Sequence, residues 1–454
     1  MTDHPQIPFP CDRVPADPGA ARLVGLYPQR QEGLWMQRVK VLGGVLTGEQ
    51  WRALAGAAGQ SRPSAPLHLT TRQDIELHNL TAGQVPAVQQ AVAGCGLTAI
   101  GACGDTLRNL TVCPCSGVRP GSVDLVPLAW QIRRTLEGLE GIFSLPRKFK
   151  IALACGESCG QPWINDLGLT AARQNGRWGF RVAVAGSLGA RPGTGILLFD
   201  WLPAADVLPL TVAAIRVFAE QGDRQDRRRA RLRHVRERMG DEAFTELLRK
   251  AFPSARAERD WPEAPLPAAE TALPAEATLT FANGDVSPEA AEALGQLTDD
   301  ARFRVRIANQ HRVIVFGPDD AAVADALAAM PVLREAARPQ ASVVACPGSR
   351  WCARAIVQTN ALADRIRAEL GDRLPPETTV CISGCPNGCS HAAVADFGLT
   401  GCLATRDGER TEAFNLLIGG RMGRGKKLAE PDGKRLSPDE AVRRIAELAG
   451  RLPT

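Results

Sequence analysis

Apolar and polar positions alternate along residues 35–45 (WMQRVKVLGGV), which predicts a strand. Residues 47–59 take up a helical period. Thr47 stands as N-cap with Gln50 three positions on, the pattern of a capping box. Alternation returns over 67–80 (LHLTTRQDIELHNL), read as two strands with a tight link, and 85–92 reads as a helix. This β-α-β-β-α order predicts a small two-layer sandwich with its helices on one side. The pattern recurs late in the chain, with strands at 302–306 and 312–316 and an Ala-rich helix at 319–330. Between the copies, 253–277 is rich in Pro, Ala and Glu, lacks an apolar period and reads as a linker. The basic run 224–238 (RQDRRRARLRHVRER) carries Leu232 and Val235 at helical spacing. It reads as a solvated helix between domains, with a docking or anion-binding surface as the alternative.

The repetition extends to the cysteines. Cys155-Gly-Glu-Ser-Cys159 is followed by GQPWINDLGLTA, and Cys385-Pro-Asn-Gly-Cys389 by SHAAVADFGLTG. Each Cys-x-x-x-Cys thus precedes an Asp-x-Gly-Leu-Thr at matching distance, beginning at Asp166 and Asp396. VCPCSG at Val112 and ACPGSR at Ala345 hold equivalent places upstream. The chain therefore reads as two homologous halves in a pseudo-twofold arrangement, with a large ligand expected between them. The expected division is 15–100 and 101–252, the linker 253–277, then 278–340 and 341–454.

A chain of 454 residues exceeds one hydrophobic core, and 44% apolar with 23% charged residues is ordinary for a globular enzyme. No apolar run approaches the ~18 residues of a membrane span. Residues 1–10 lack both a basic start and an apolar stretch, so no secretory signal is expected and the cytoplasm is the expected location. Thirteen cysteines in a reducing compartment point to metal or redox chemistry, and the odd number argues against a complete disulfide framework. A net charge of +5 does not imply nucleic acid, and it suits an acidic protein partner. The glycines around Gly193 and Gly195 lack the strand–turn–helix setting of a nucleotide site, so electrons are expected from a separate protein.

Cys346-x5-Cys352 and Cys385-x3-Cys389 supply four thiols in two close pairs, which is what an iron–sulfur cubane needs, one sulfur for each iron. Zinc takes the same ligand type, although structural zinc pairs favour spacings of about two to four residues. Pro347, Pro386, Gly384 and Gly388 favour turns that leave backbone N–H groups free to point at sulfur. On spacing alone the cluster leads, with zinc and unliganded thiols still open.

The C-x5-C…C-x3-C arrangement with its local SGCPNGC resembles the sirohaem-containing sulfite and nitrite reductase family. TTRQDIELHNL at 70–80, LRNLTVCP at 107–114, LPRKFK at 145–150 and GDRQDRRRARLRHVRERMG resemble further family segments, in the family's order from about residue 25 to about residue 420. The resemblance implies an α+β fold: a pseudo-twofold repeat of ferredoxin-like sandwich modules plus two larger α/β cofactor-binding domains. It implies a sirohaem and a [4Fe–4S] cluster held by Cys346, Cys352, Cys385 and Cys389, with Cys389 bridging to the sirohaem iron. It also implies Arg72 and Arg108 as anion-binding groups, Lys148 and Lys150 as proton donors, and Arg147 and Asn387 as supports for the sirohaem carboxylates and the cluster. Fixed guanidinium charges that grip an oxyanion through two N–H groups, and lysines that can give up a proton, match what such a reduction requires.

LPRKFK resembles the sulfite-reducing side of the family, where a second ammonium at Lys150 suits a dianion, so six-electron reduction of sulfite to sulfide is the expected reaction and nitrite reduction to ammonia the runner-up. A precorrin-3B synthase-like oxygenase and a non-enzymatic electron-transfer protein are the remaining readings. Ferredoxin is the expected electron donor, with a flavoprotein second. Tyr27, the chain's one tyrosine, and Cys103 resemble the positions of a Tyr–Cys thioether in some members, and the pair is expected within bonding distance. Cys113, Cys115, Cys155 and Cys159 form the first half's version of the cluster set. Arg119 stands where its x5 partner would be, so these four read as packed remnants of a duplication rather than a second metal site.

Overall fold

A computed structural model describes residues 7–268, 272–423 and 425–450; residues 1–6, part of the stretch read for a leader, lie outside the described residues, as do 451–454 at the end of the last expected domain. The fold is α+β. The N-terminal unit contributes β1 (Leu26–Pro28), β2 (Leu34–Val39), β3 (Leu67–Leu69) and β4 (Ile75–Thr81), all antiparallel. The helix Gly48–Ala58 begins at a capping box in which Thr47 and Gln50 satisfy each other's backbone N–H groups, as the sequence predicts. The strand expected over 35–45 stops at Val39. Gly43 and Gly44 adopt φ +62° and +71° and turn the chain into a 3₁₀ segment, Leu42–Gly44, which β pairing cannot accommodate.

The first large domain follows, with β5 (Thr111–Val112), β6 (Ile151–Ala154), β7 (Leu167–Gln174), β8 (Arg177–Val184) and β9 (Ile196–Pro203) adjacent in that order. The first three run parallel and the last two antiparallel. The basic run is not one helix: the helix spans only Leu232–Met239, and Arg231 and Arg233 are buried rather than solvated. The next helix, Asp241–Ala257, carries Pro253 in its interior, so the linker expected over 253–277 narrows to an irregular stretch starting at 258. That stretch is held against the first half by Asp124 N–H donating to the Pro267 carbonyl (2.9 Å) and Leu273 N–H to the Val118 carbonyl (2.9 Å).

The second half repeats the plan. β10 (Ala275–Thr280), β12 (Arg304–Ile307) and β13 (Arg312–Gly317) form a three-stranded sheet, while β11 (Asp285–Val286) crosses over and extends the first unit's sheet beside β3. β14 (Ser342–Ala345), β15 (Thr379–Ser383), β16 (Phe397–Arg406), β17 (Glu409–Ile418) and β18 (Glu430–Leu436) reproduce the order and directions of β5 to β9. The duplication inferred from the cysteine motifs is thus a duplication of topology.

The two small units share one hydrophobic core. Trp51 and Leu54 of the first bury with Leu294, Leu297 and Phe303 of the second. Each unit also seats a glycine on the other. A Cβ at Gly44 would lie 2.0 Å from the Ile307 carbonyl oxygen, and one at Gly284 (φ +77°) would lie 2.8 Å from the Leu69 carbonyl oxygen. Gln73, with φ +64°, joins these turns. Its amide donates to the carbonyls of Val112 (2.8 Å) and Ile307 (2.9 Å) and accepts from Val112 N–H (2.9 Å). Among the described residues no helix is long and apolar enough to cross a membrane.

Candidate active site between the two halves

Strand periodicity builds the first wall. On β3 and β4, Leu67, Leu69, Ile75 and Leu77 enter the shared core, so His68, Glu76 and His78 face the other way. With Arg38 of β2 they line a cavity of about 830 Å³. The same alternation explains LPRKFK. Phe149 is fully buried in the first domain's core, and Lys148 and Lys150 on either side of it reach the cavity. Arg108 runs alongside, its N–H bonded to the Phe149 carbonyl at 2.9 Å. Arg72, on the link between β3 and β4, donates to the Asn109 carbonyl (2.8 Å) and to the Asn165 side-chain oxygen.

The second half supplies the opposite wall. Cys346 follows β14, and Cys385 and Cys389 follow β15; with Cys352 all four line the cavity. A backbone N–H group points at one of the sulfurs, Gly384 donating to Cys346 Sγ at 3.2 Å, and the backbone at Arg354 and at Asn387 eases ionisation of Cys352 and Cys385 against the effect of burial. Among the described residues no three His, Cys, Asp or Glu side chains converge closely enough to hold a single metal ion. The halves are pinned together here. Thr71 Oγ1 donates to the Cys389 carbonyl (2.8 Å), Arg30 N–H to the Trp351 carbonyl (2.8 Å), and the Trp351 ring stacks on His78 at 3.8 Å.

Crowding of cations sets the electrostatics. Burial, then Arg231 and Arg108, pulls the Lys148 ammonium down to about 7. Burial, then Arg72 and Lys148, puts Lys150 well below the usual lysine range. Arg72 is lowered by burial to about 10 and keeps its charge at neutral pH. The Nε of Arg108 is buried without a hydrogen-bond partner in the protein. Asp166 organises the floor: its carboxylate accepts from Lys150 N–H (2.8 Å) and from the buried Arg231 (2.7 Å). Its repeat counterpart Asp396 accepts likewise from Thr379 N–H (2.8 Å), so the shared Asp-x-Gly-Leu-Thr is a device for starting a strand.

The cavity thus gathers Arg72, Arg108, Arg147, Lys148, Lys150, Asn387, Tyr27 and the four second-half cysteines. Arg147 is ion-paired to Asp105 at 2.8 Å. Cys103 is buried behind the wall near Arg38 and Arg108, and Tyr27 also acts on Arg108, so the two expected crosslink partners share a neighbour. Sequence reading missed His68, His78, His311 and His391, four of the chain's six histidines, all on the cavity. His391, two positions after Cys389, was the one with a signal. Arg227, on the rim beside Asp105 at 2.6 Å, was hidden in the basic run.

Residues 103–255 and 339–449 match the nitrite and sulphite reductase 4Fe-4S domain, and residues 27–95 match the nitrite/sulfite reductase ferredoxin-like half domain. The chain belongs to the nitrite and sulphite reductase family. Within it, the chain is 30% identical to a ferredoxin–nitrite reductase of Synechococcus elongatus, over 88% of this chain and 82% of the relative. It is 29% identical to the chloroplastic ferredoxin–nitrite reductase of Zea mays (94% and 80%) and 29% identical to an assimilatory ferredoxin-dependent nitrite reductase of Haloferax mediterranei (93% and 80%). The fold is that of the Mycobacterium tuberculosis NirA protein, with a TM-score of 0.82 at 23% identity over 95% of this chain and 86% of that one. The cofactor expectation, sirohaem with a [4Fe–4S] cluster, stands with membership of the family. The cavity's chemistry fits such a group. Nine cations line it (Arg22, Arg38, Arg72, Arg108, Arg147, Lys148, Lys150, Arg227, Arg354) against four carboxylates (Asp17, Asp74, Glu76, Asp105), an excess suited to a macrocycle bearing many carboxylates.

Proposed function

We propose that this chain reduces nitrite to ammonia with electrons from a ferredoxin. What carries the reading is one cavity on which first-half cations meet second-half thiols, in a chain whose relatives of nearly full length are named ferredoxin–nitrite reductases. Cys346, Cys352, Cys385 and Cys389 would hold the cluster, with Cys389 as the bridge to the sirohaem, and Arg147 and Asn387 would support the pair. When bound, these groups supply the electron path and the iron at which the anion is reduced. Arg72 and Arg108 bind and neutralise the anion, since their charge does not depend on working pH. Lys148, held near 7 by burial, gives a proton to the departing oxygen and is recharged from solvent. Lys150 lies on the same wall, where its low proton affinity makes it a ready donor once an anion enters.

The same shift lowers the weight of the sulfite expectation. A second ammonium suits a dianion only while it holds its proton, and burial, then Arg72, Lys148 and Arg231, weakens the hold of Lys150 on its own. Sulfite remains a second reading, because an entering dianion would restore it. Reductant-driven turnover of sirohaem-loaded protein with each anion decides between them: the proposal expects ammonia from nitrite, sulfide alone would favour the second reading, and neither product would end both. Tyr27 and Cys103 are proposed to form a thioether, a bond from sulfur to a ring carbon made as dioxygen takes up the two hydrogens lost; a tryptic peptide joining them that survives thiol reduction supports this, and a freely alkylated Cys103 excludes it.

A further inference from the structure

The four first-half cysteines, expected as packed remnants, lie close to one another. Cys113, directly after β5, and Cys155, directly after β6, bring their sulfurs to 3.3 Å. Cys115 and Cys159 lie near the same sulfur and act on its ionisation. This is the place that Cys346 and the Cys385–Cys389 pair occupy in the second half. An iron–sulfur cluster keeps its thiolates apart, one on each iron, and contact at 3.3 Å leaves no room for a cluster between these two. No three of the four converge to hold a single metal ion. What two thiols in contact can do is join. Backbone geometry is already compatible with that, because the residues continue two paired parallel strands, with Cys113 N–H bonded to the Leu153 carbonyl at 2.9 Å. Access is available on one side, since Cys155 is half-exposed while Cys113 is buried.

We propose that Cys113 and Cys155 form a reversible disulfide when the protein meets a hydroperoxide. Cys155 sulfur attacks the outer peroxide oxygen, the O–O bond breaks, and the alcohol leaves with the thiol proton. Cys113 sulfur then attacks the resulting sulfenic sulfur, the S–S bond forms, and the displaced hydroxide takes the Cys113 proton as water. Two electrons pass from the sulfur pair to the hydroperoxide, and a dithiol returns them. The bond would tie down the root of the segment from Cys155 to Asp166, whose far end holds Arg72 through Asn165 and the Lys150 backbone through Asp166.

The test treats holoenzyme with one equivalent of tert-butyl hydroperoxide, alkylates free thiols and maps peptides before and after dithiothreitol. The expected result is a Cys113–Cys155 linked peptide, loss of the Cys113 and Cys155 thiols from the alkylated set and a mass decrease of about 2 Da, all restored by dithiothreitol. Cys155→Ser abolishes the link and leaves iron content unchanged. Two fully alkylated thiols after hydroperoxide treatment of the wild-type chain would overturn the proposal, as would thiols protected by stoichiometric zinc. Both readings come from the unmutated protein, so they do not depend on the variant folding. Neither uses turnover, so they stand apart from the assignment of the reaction.

Discussion

Lys148 is poised between protonation states. Its ammonium is lost as pH rises through about 7, because burial and the Arg231 and Arg108 charges penalise it. Activity that needs this proton therefore falls above about pH 7 and is retained below it, until another group titrates. Lys148→Met should remove that alkaline limb and lower kcat by about 10²–10⁴-fold, measured as the pH profile of nitrite reduction with sirohaem content matched. Asp166 tests a different kind of residue. It is fully buried and holds Arg231 and the Lys150 backbone, so Asp166→Asn leaves a guanidinium inside without its counter-charge. A stability loss of about 3–5 kcal/mol is expected in denaturant unfolding. Both effects come from partners far away in sequence, which is why the string LPRKFK announced the cations and not their proton affinities.

At the scale of elements, the sequence was informative wherever a local rule governed. The capping box at Thr47 and the alternation through β3 and β4 are local, and the chain realises both. Alternation also named the polar face of the sheet without saying what it faced; that the face is a cavity wall depends on the second half closing over it. Rules failed where tertiary contact decided. Gly43 and Gly44 turn the chain after β2, Gly44 because the Ile307 backbone of the other half passes against it, and Pro253 stays within its helix. Arg231 and Arg233 in the basic run turn inward because Asp166 and Ser187 await them. Gln73 is the clearest such case. No pattern distinguishes it from its neighbours, yet it joins Val112 of one half to Ile307 of the other. Gln73→Ala would strand three buried backbone groups and should cost about 2–4 kcal/mol, read as a lower denaturant midpoint.

At the scale of the molecule, the duplication divides labour. One half keeps four thiols at the cavity, while the other supplies the cations Arg72, Arg108, Lys148 and Lys150, so neither half contains the site alone. The sequence made this division legible through the missing ligand at Arg119 and the placement of the basic segments. It could not show that the first-half cysteines close on each other, because Cys113 and Cys155 meet only through the pairing of β5 with β6.

The exchanged strand β11 and the glycines seated on opposite carbonyls, Gly44 on Ile307 and Gly284 on Leu69, have a consequence for assembly. The chain behaves as a dimer whose subunits happen to be joined by a peptide. If it is cut between Ala268 and Ala272 and both fragments are co-expressed, they should copurify as a complementing pair. The melting temperature of that pair should rise with protein concentration, whereas the melting temperature of the uncut chain should not.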